Sequence, residues 1–303
     1  MRILVSGGSG FIGSLVCERL RRSGHEVAVL TRRAAPGAGA IRWQPEAGVL
    51  EPAAVEGFDG VVHLAGENIG AGRWTAARRQ RILDSRRHGT CLLAATLAKA
   101  ARRPAVLVSA SGVNYYGDRG DEIVTEDSPT GSGFLAEVCR QWEAATEPAS
   151  DAGIRVCRLR TGMVLAPDGG ALARLLLPFR LGLGGPLGSG RQWMSWITRD
   201  DLAAVIERAL ADPGFAGPVN AVSPGPVTNR EFSAILGRVF KRPAVLPAPA
   251  FALRLALGAM ADELLLASQR VAPARLVAAR FAFGDGELEP ALRRLLGRPV
   301  AAA

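Results

Sequence analysis

Three glycines near the start of the chain, Gly7, Gly10 and Gly13, have the spacing of a phosphate-binding turn. They follow an apolar run at residues 2–6 and precede apolar residues at helical spacing that continue as far as Gly24. A strand that turns directly into a helix needs one residue with positive φ and close packing of helix on strand, and both requirements favour glycine. The free N–H groups and the positive end of the helix dipole then face an anion. We expect a pyrophosphate to be bound by Gly7, Gly10, Phe11, Ile12 and Gly13.

The end of the next apolar run indicates which dinucleotide binds this turn. The run Val27–Leu30 leads into Thr31 and Arg32, and no acidic residue occurs between residues 27 and 42. NAD-binding units usually carry an acid about 20 residues after the glycines, whereas NADP-binding units carry an arginine for the 2′-phosphate. Arginine suits a phosphate because it is permanently charged and binds two oxygens at once. We predict NADP(H), with Thr31 and Arg32 at the phosphate; the alternative is that Arg32 and Arg33 are solvated loop residues.

Further residues are expected beside the cofactor at the carboxyl ends of the parallel strands, where ligands bind in such sheets. A buried strand at residues 58–63 ends in small residues that permit close approach: Leu64, Ala65 and Gly66. His63 is interpreted as a packed strand histidine. Arg86 lies in the following helix and could face the phosphates, with a surface arginine as the alternative.

The loop after the fifth predicted strand is rich in serine and tyrosine. It contains Ser111, then Tyr115, Tyr116 and Gly117, and then Thr125-Glu126-Asp127-Ser128-Pro129. This pattern resembles the extended short-chain dehydrogenase/reductases, the relatives of nucleotide-sugar epimerases. The resemblance implies that Ser111 is the catalytic serine that orients the substrate oxygen. The dehydratase branch has an Asp-Glu pair after that serine, and Gly112-Val113 in this chain counts against dehydration.

The Tyr-x-x-x-Lys pair that this family uses for proton transfer is missing. The matching segment, Phe134–Val138, contains neither residue. The only tyrosines are Tyr115 and Tyr116, and neither lysine of the chain lies four residues after one of them. Tyr116 or a water molecule is therefore expected to handle the proton.

One subgroup of the family also lacks the Tyr-x-x-x-Lys pair. It comprises epimerase-like NAD(P)-dependent proteins with an extra C-terminal domain of unknown function, some of which are described as cell-division inhibitors. Its resemblance to this chain covers essentially all 303 residues. The matching stretches are His63–Ile69, Phe134–Ala136 with Cys139 and Trp142-Glu143, and Leu177–Phe179 with Gly188–Gly190. The resemblance implies NADP binding and supplies no substrate.

A glycine-rich segment at residues 181–190 is expected to face the substrate. Arg191, directly after it, suits a phosphate or carboxylate, and Trp193 suits stacking on a base or sugar. The alternative is a structural hairpin with buried indoles. Further on, apolar residues at helical spacing from Leu253 to Leu264, with Asp262 and Glu263 on the polar side, predict a helix packed on the second domain.

These elements predict an α/β protein with a Rossmann-type doubly wound parallel sheet and a smaller α+β C-terminal substrate domain. The NADP-binding domain is placed at residues 1–168 and returns at about 196–225. The substrate domain is placed at residues 169–195 and 226–303, with the ligand crevice between the two.

Composition narrows the classes of partner and cellular location that we expect for this protein. The net charge of +9 comes almost entirely from arginines that are spread along the chain, so we expect no nucleic-acid partner. The four cysteines have no metal-type spacing, which predicts free buried thiols and no metal. No apolar run is long enough to span a bilayer, and the first residues already form a strand, so we expect no membrane partner, no signal peptide and a cytoplasmic protein. A homodimer is compatible with the sequence.

Two functional hypotheses follow. The first is an NADP-dependent oxidoreductase or epimerase that acts on a small anionic or sugar-like substrate through Ser111 and Tyr116. The second is a non-catalytic NADP-binding regulatory protein, for example of cell division, and it is motivated by the missing Tyr and Lys.

Overall fold

A computed structural model describes residues 1–33, 37 and 39–299. Its strands are β1 (Arg2–Ser6), β2 (Glu26–Thr31), β3 (Ala40–Arg42), β4 (Gly60–His63), β5 (Val106–Gly112), β6 (Ile123–Val124), β7 (Arg155–Thr161), β8 (Met163–Ala166), β9 (Trp193–Met194), β10 (Trp196–Thr198), β11 (Gly217–Ala221), β12 (Val227–Thr228) and β13 (Arg270–Val271). Its helices are α1 (Gly13–Arg22), α2 (Ala76–Lys99), α3 (Phe134–Ala144), α4 (Glu147–Asp151), α5 (Gly170–Arg180), α6 (Arg199–Ala211), α7 (Asn229–Phe240), α8 (Ala250–Leu257), α9 (Ala259–Ala261), α10 (Ala274–Ala278) and α11 (Leu288–Leu295).

A seven-stranded parallel sheet organises the first two thirds of the chain. Its strand order is β11-β7-β5-β4-β1-β2-β3. The chain crosses over between β3 and β4, so β1 lies between β2 and β4 and a crevice opens at its carboxyl end. The inner strands are buried almost throughout, as expected for a parallel sheet with helices on both faces. The predicted Rossmann-type α/β fold is confirmed.

Alternate residues of the inner strands contribute to two separate hydrophobic cores. Ile3 and Val5 pack with α1 and α6 on one face of the sheet, whereas Leu4 packs with α2 on the other. Leu276 of α10 belongs to the first core, with Phe281 and Phe283 packed against it. The C-terminal tail is therefore built into the dinucleotide-binding half.

A third core joins α5, α7 and α11 through Leu172, Phe232 and Leu292. Leu165 of β8 and Trp196 of β10 belong to the same cluster, so it extends across the proposed boundary at residue 168. The division into residues 1–168 and a substrate domain stays a prediction, and residues 300–303 of that domain lie outside the described part of the chain. Among the described residues, every helix is too short or too polar to cross a bilayer.

Candidate functional site

The glycine turn has the geometry that a bound pyrophosphate requires. Gly7 has φ +71, and a Cβ at this position would lie 2.8 Å from the carbonyl carbon of Leu64. A Cβ on Gly13 would lie 2.2 Å from the Gly7 carbonyl oxygen, so α1 packs against the turn only without a side chain here. Gly10 is exposed at the amino end of α1. The turn thus presents backbone N–H groups to the crevice, as an anion site needs.

A buried hydrogen-bond network holds the end of β4 beside this turn. The Ser6 hydroxyl accepts from the backbone N–H groups of Leu64 and Ala65 at 3.2 and 3.3 Å and contacts His63 Nδ1 at 2.6 Å. Because the hydroxyl already accepts twice, its proton goes to Nδ1, and Nε2–H donates to Thr90 Oγ1 at 2.9 Å. Burial lowers the pKa of His63 to about 4, so the ring is neutral at physiological pH. The packed histidine predicted from the sequence is confirmed.

The predicted 2′-phosphate residues lie at the exposed carboxyl end of β2. Val29 lies directly under the glycine turn, since a Cβ on Gly8 would meet its Cγ1 at 2.9 Å; Thr31, two residues on, shares that face of the strand. The Arg32 guanidinium lies 3.5 Å from the Glu46 carboxylate, and both side chains are more than 70% exposed. Such a pair holds Arg32 weakly and leaves it free to meet a ligand.

A second arginine beside this position was missed by the sequence interpretation. Arg42 pairs in register with Thr31 across β2 and β3, so it follows Thr31 onto the same face, whereas Trp43 is buried. In the sequence, the charged Arg42 between the apolar residues Ile41 and Trp43 could have indicated that Arg42 lies on the opposite face from its two neighbours.

Arg86 lies under the loop after β4 instead of at its open side. Its Nη1 donates to the carbonyls of Glu67 and Ile82 at 3.0 and 3.2 Å, and its guanidinium lies 4.8 Å from the centre of the Trp142 ring. Burial lowers its pKa. Arg86 supports the loop that carries Gly66. It is therefore neither a freely exposed surface arginine nor an arginine that faces the cofactor phosphates from the open side of the crevice.

Ser111 is buried, and its hydroxyl is already engaged. Its Oγ donates to Glu143 Oε1 at 2.8 Å, and Glu143 is paired with Arg160 through two contacts of 2.9 Å. The side chains of Glu143 and Arg160 are 10% and 5% exposed. In this arrangement Ser111 completes an internal ion pair instead of orienting a substrate oxygen.

Tyr116 does not reach the crevice. The residue is fully buried, and its hydroxyl donates to Asn220 Oδ1 at 2.7 Å and accepts from Arg160 Nη1 at 3.0 Å. Burial raises its pKa. The expectation that Tyr116 handles a substrate proton is not supported, because its O–H proton is donated to Asn220 and the residue is fully buried.

The start of α3, where the family carries its tyrosine, is covered by the C-terminal segment. Phe134 packs edge-on against Trp74 at 5.3 Å, and Val138 is buried in a cluster with Trp74 and Met260. The Glu263 carboxylate accepts from the backbone N–H groups of Phe134 and Leu135 at 2.9 and 2.6 Å. Glu263 was expected on the polar side of a helix packed on the second domain, but its carboxylate caps the start of α3.

The two residues expected at the substrate have different environments. Arg191 is exposed after the glycine-rich segment. The Trp193 indole donates to Asp121 Oδ1 at 2.8 Å, and the Arg270 guanidinium lies 4.1 Å from its ring centre, so one face of the ring is already stacked. Their role at a substrate stays a prediction.

The cysteines are free, and three of the four are buried. Cys91 is exposed on α2, so the expectation that every thiol is buried was wrong at this position. The described residues hold no group of three or more side chains that could bind a metal ion.

The sheet order, the crevice at the end of β1 and the glycine turn before α1 together define a Rossmann-type dinucleotide-binding protein. Comparison with known families makes the assignment specific: a model described as the NAD dependent epimerase/dehydratase family matches residues 3–221, and one described as a domain of unknown function (DUF1731) matches residues 248–295. The chain belongs to this epimerase family and carries the DUF1731 domain at its C-terminal end. The resemblance to the extended short-chain dehydrogenase/reductases is thereby confirmed.

Similar proteins cover nearly the whole chain. An epimerase family protein of Mycobacterium tuberculosis is 43% identical over 98% of both chains. The human epimerase family protein SDR39U1 is 38% identical over 98% of this chain and 100% of its own. A crystal structure of human SDR39U1 with NADPH superposes with a TM-score of 0.91 over 98% of this chain and 99% of that one. A nucleoside-diphosphate sugar epimerase from Corynebacterium glutamicum, also 38% identical, has a TM-score of 0.83 over 98% of this chain and 58% of its own.

Proposed function

We propose that this protein binds NADP(H) in the crevice at the end of β1. The Gly10 N–H donates to the Gly7 carbonyl at 2.9 Å, so the backbone N–H groups of Phe11 and Ile12 would hold the pyrophosphate, and Thr31 and Arg32 would receive the 2′-phosphate. The close packing at Gly7 and Gly13 supports this assignment, because it brings the backbone of the turn to the crevice with no side chain in between. The human relative crystallised with NADPH supports the choice of dinucleotide.

We further propose that the bound nucleotide acts as a regulatory ligand, and that the protein does not carry out the hydride and proton transfer of its relatives by their usual groups. One observation carries this proposal: the start of α3 is rebuilt as apolar packing. Phe134 and Val138 stand where a tyrosine and a lysine are needed, and Leu257, Met260 and Leu264 from the C-terminal domain pack against them. NADP(H) would supply a nicotinamide able to exchange hydride, but Ser111 and Tyr116 are held by Glu143, Arg160 and Asn220.

The first test separates binding from turnover. NADPH is titrated into the purified chain by calorimetry, and its oxidation is then followed by absorbance with a panel of carbonyl compounds and nucleotide sugars. We expect binding with no oxidation above the protein-free rate. Sustained oxidation that increases with protein concentration would overturn the regulatory role and restore the oxidoreductase hypothesis.

Arg32→Asp tests the cofactor assignment itself. The loss of a charge-assisted contact to phosphate is expected to weaken NADPH binding about ten- to a hundredfold while NADH binding changes little. Arg21→Asp, at an exposed position at the far end of α1, is the matched control for the change in net charge. An unchanged ratio of NADPH to NADH affinity in Arg32→Asp would remove this arginine from the 2′-phosphate site.

A further inference from the structure

Large apolar side chains that are more than half exposed concentrate in one part of the C-terminal half. We call this surface the apolar face, and its members, between 51% and 76% exposed, are Leu177, Leu181, Leu183, Val245, Leu246, Phe251 and Leu255. Exposed apolar residues that occur singly are ordinary, but a contiguous group of this kind usually marks an interaction site.

Backbone hydrogen bonds make the apolar face continuous. The segment that follows α5 runs beside the segment that precedes α8: Leu246 N–H donates to the Gly184 carbonyl at 3.3 Å and Ala248 N–H to the Pro186 carbonyl at 2.9 Å. Leu177 and Leu181 are four residues apart at the end of α5, and Phe251 and Leu255 are four apart on α8. Residues at this spacing share a helix face, so each helix adds an apolar stripe to the joined segments.

Helix α8 is apolar on both sides. Leu257 packs inward against the cluster that contains Trp74 and Met260, whereas Phe251 and Leu255 are 72% and 76% exposed on the other side. A helix that is apolar all round is normally covered on all sides. Among residues 1–33, 37 and 39–299, nothing covers the outward side of α8.

The charged residues around the apolar face indicate which kind of partner covers it. Residues 169–199 and 241–261, which include every member of the apolar face, contain no aspartate or glutamate. Arg180, Lys241 and Arg242 are exposed among the apolar side chains, whereas Arg254 is paired with Asp262 at 2.8 Å. A second copy of this chain on a two-fold axis would bring these cations together with no acid from either stretch to offset them. A surface that combines negative charge with an apolar interior fits better.

We propose that this face binds the surface of an anionic phospholipid bilayer. Phe251 and Leu255 enter the boundary between head groups and acyl chains, with α8 lying in the plane of the interface. Arg180, Lys241 and Arg242 meet the lipid phosphates. This peripheral contact goes beyond the proposed nucleotide binding and differs from the sequence expectation of no membrane partner, which considered spanning segments and not an assembled surface.

Vesicle flotation with the 303-residue chain tests the proposal. We expect the protein to float with vesicles of phosphatidylcholine and phosphatidylglycerol and to stay in solution with phosphatidylcholine alone. Phe251→Ser/Leu255→Ser is expected to reduce bound protein at least about tenfold. Ile123→Ser/Val277→Ser, which removes two apolar side chains that are each 57% exposed elsewhere, is expected to float like the wild type.

Lys241→Ala/Arg242→Ala tests the electrostatic part, with an expected loss of about tenfold or more at low salt, and Arg21→Ala/Arg22→Ala is its control. A far-ultraviolet circular dichroism spectrum like that of the wild type shows that each variant is folded, and this control does not depend on the nucleotide proposal. Failure of the wild-type chain to float with anionic vesicles overturns the proposal. If the wild type does not float and elutes as a dimer that Phe251→Ser/Leu255→Ser dissociates, the occupant is a second copy of the chain; if it elutes as a monomer, both occupants are excluded.

Discussion

At the scale of single residues, the polar side chains of the site form hydrogen bonds with one another. Ser6, His63 and Thr90 form one closed network, and Glu143 with Arg160 forms the centre of another. Both networks lie at the carboxyl ends of sheet strands, where a ligand is expected, yet in each the named side chains hydrogen-bond to one another. Networks of this kind hold the shape of a binding site but leave few groups for proton transfer.

The neutral state of His63 predicts a specific loss of stability in acid. Its pKa is about 4 in the folded chain because of burial, against about 6.5 in an unfolded chain. As pH falls below about 6.5, the unfolded state gains a proton on His63 that the folded state does not accept until about pH 4. The free energy of unfolding should therefore decrease across this window by up to about 3 kcal/mol, with no contribution above it.

Urea unfolding at pH 7 and pH 4.5 measures this effect as the difference between wild type and His63→Gln. The variant should lose less stability on acidification than the wild type. His88→Gln, which removes an exposed histidine on α2, should retain the full wild-type pH dependence. Equal pH dependence in wild type and His63→Gln would show that His63 is not the group responsible.

The buried ion pair predicts a contrast between two glutamates of α3. Glu143→Gln leaves the Arg160 charge buried without its partner and should cost about 3–5 kcal/mol of unfolding free energy. Glu137→Gln disrupts the exposed pair with Arg140 and should cost less than about 1 kcal/mol. Denaturant titration at neutral pH compares them, and similar costs would mean that water reaches Arg160.

At the scale of elements, α3 shows how a family framework can keep its shape and lose its chemistry. The helix begins where the family pattern places it, but its first two N–H groups are satisfied by Glu263 from the C-terminal domain. The side chain of Asn114 also donates to the Glu263 carbonyl at 3.4 Å. The DUF1731 domain therefore contacts both the loop after β5 and the helix after it.

Loss of the Glu263 charge should loosen this attachment. Glu263→Gln is expected to lower the free energy of unfolding by about 1–2 kcal/mol, because a carboxylate at a helix N-terminus binds N–H groups and complements the helix dipole. Asp262→Asn, next to it, disrupts only the exposed pair with Arg254 and should cost less than about 1 kcal/mol. Protease cleavage near residue 258 should increase in the first variant alone; unchanged cleavage there would mean that Glu263 does not hold the segment.

At the scale of the whole molecule, the two halves of the chain share their cores. Leu276, with Phe281 and Phe283, packs on the sheet beside α1 and α6, while Leu165 and Trp196 pack with α7 and α11. Neither half can separate without exposing residues that belong to the other. A ligand bound at the glycine turn should therefore stabilise both halves together.

NADPH at about one hundred times its dissociation constant should raise the free energy of unfolding by about 2.7 kcal/mol. Tryptophan fluorescence reports both halves, because Trp43 is buried beside α2 and Trp196 in the third core. Fluorescence and far-ultraviolet circular dichroism should give one coincident transition that NADPH shifts as a unit. Arg32→Asp should show a smaller shift at the same NADPH concentration, and a second transition that NADPH leaves in place would contradict the shared core.

The local order of residues was enough to determine the dinucleotide-binding framework. The glycine turn, the apolar strand before it and the small residues after β4 act through neighbours close in sequence, so their spacing alone indicates the unit. The absence of tyrosine and lysine from the start of α3 is likewise a fact of sequence.

Only the tertiary structure decided what the polar side chains at the site do. Ser111 meets a carboxylate 32 residues away, Tyr116 an amide 104 residues away, and the start of α3 a carboxylate 129 residues away. The register of β3 beside β2 brings Arg42 to Thr31 in the same manner. These partners depend on how distant helices and strands pack, and no spacing along the chain encodes that packing directly.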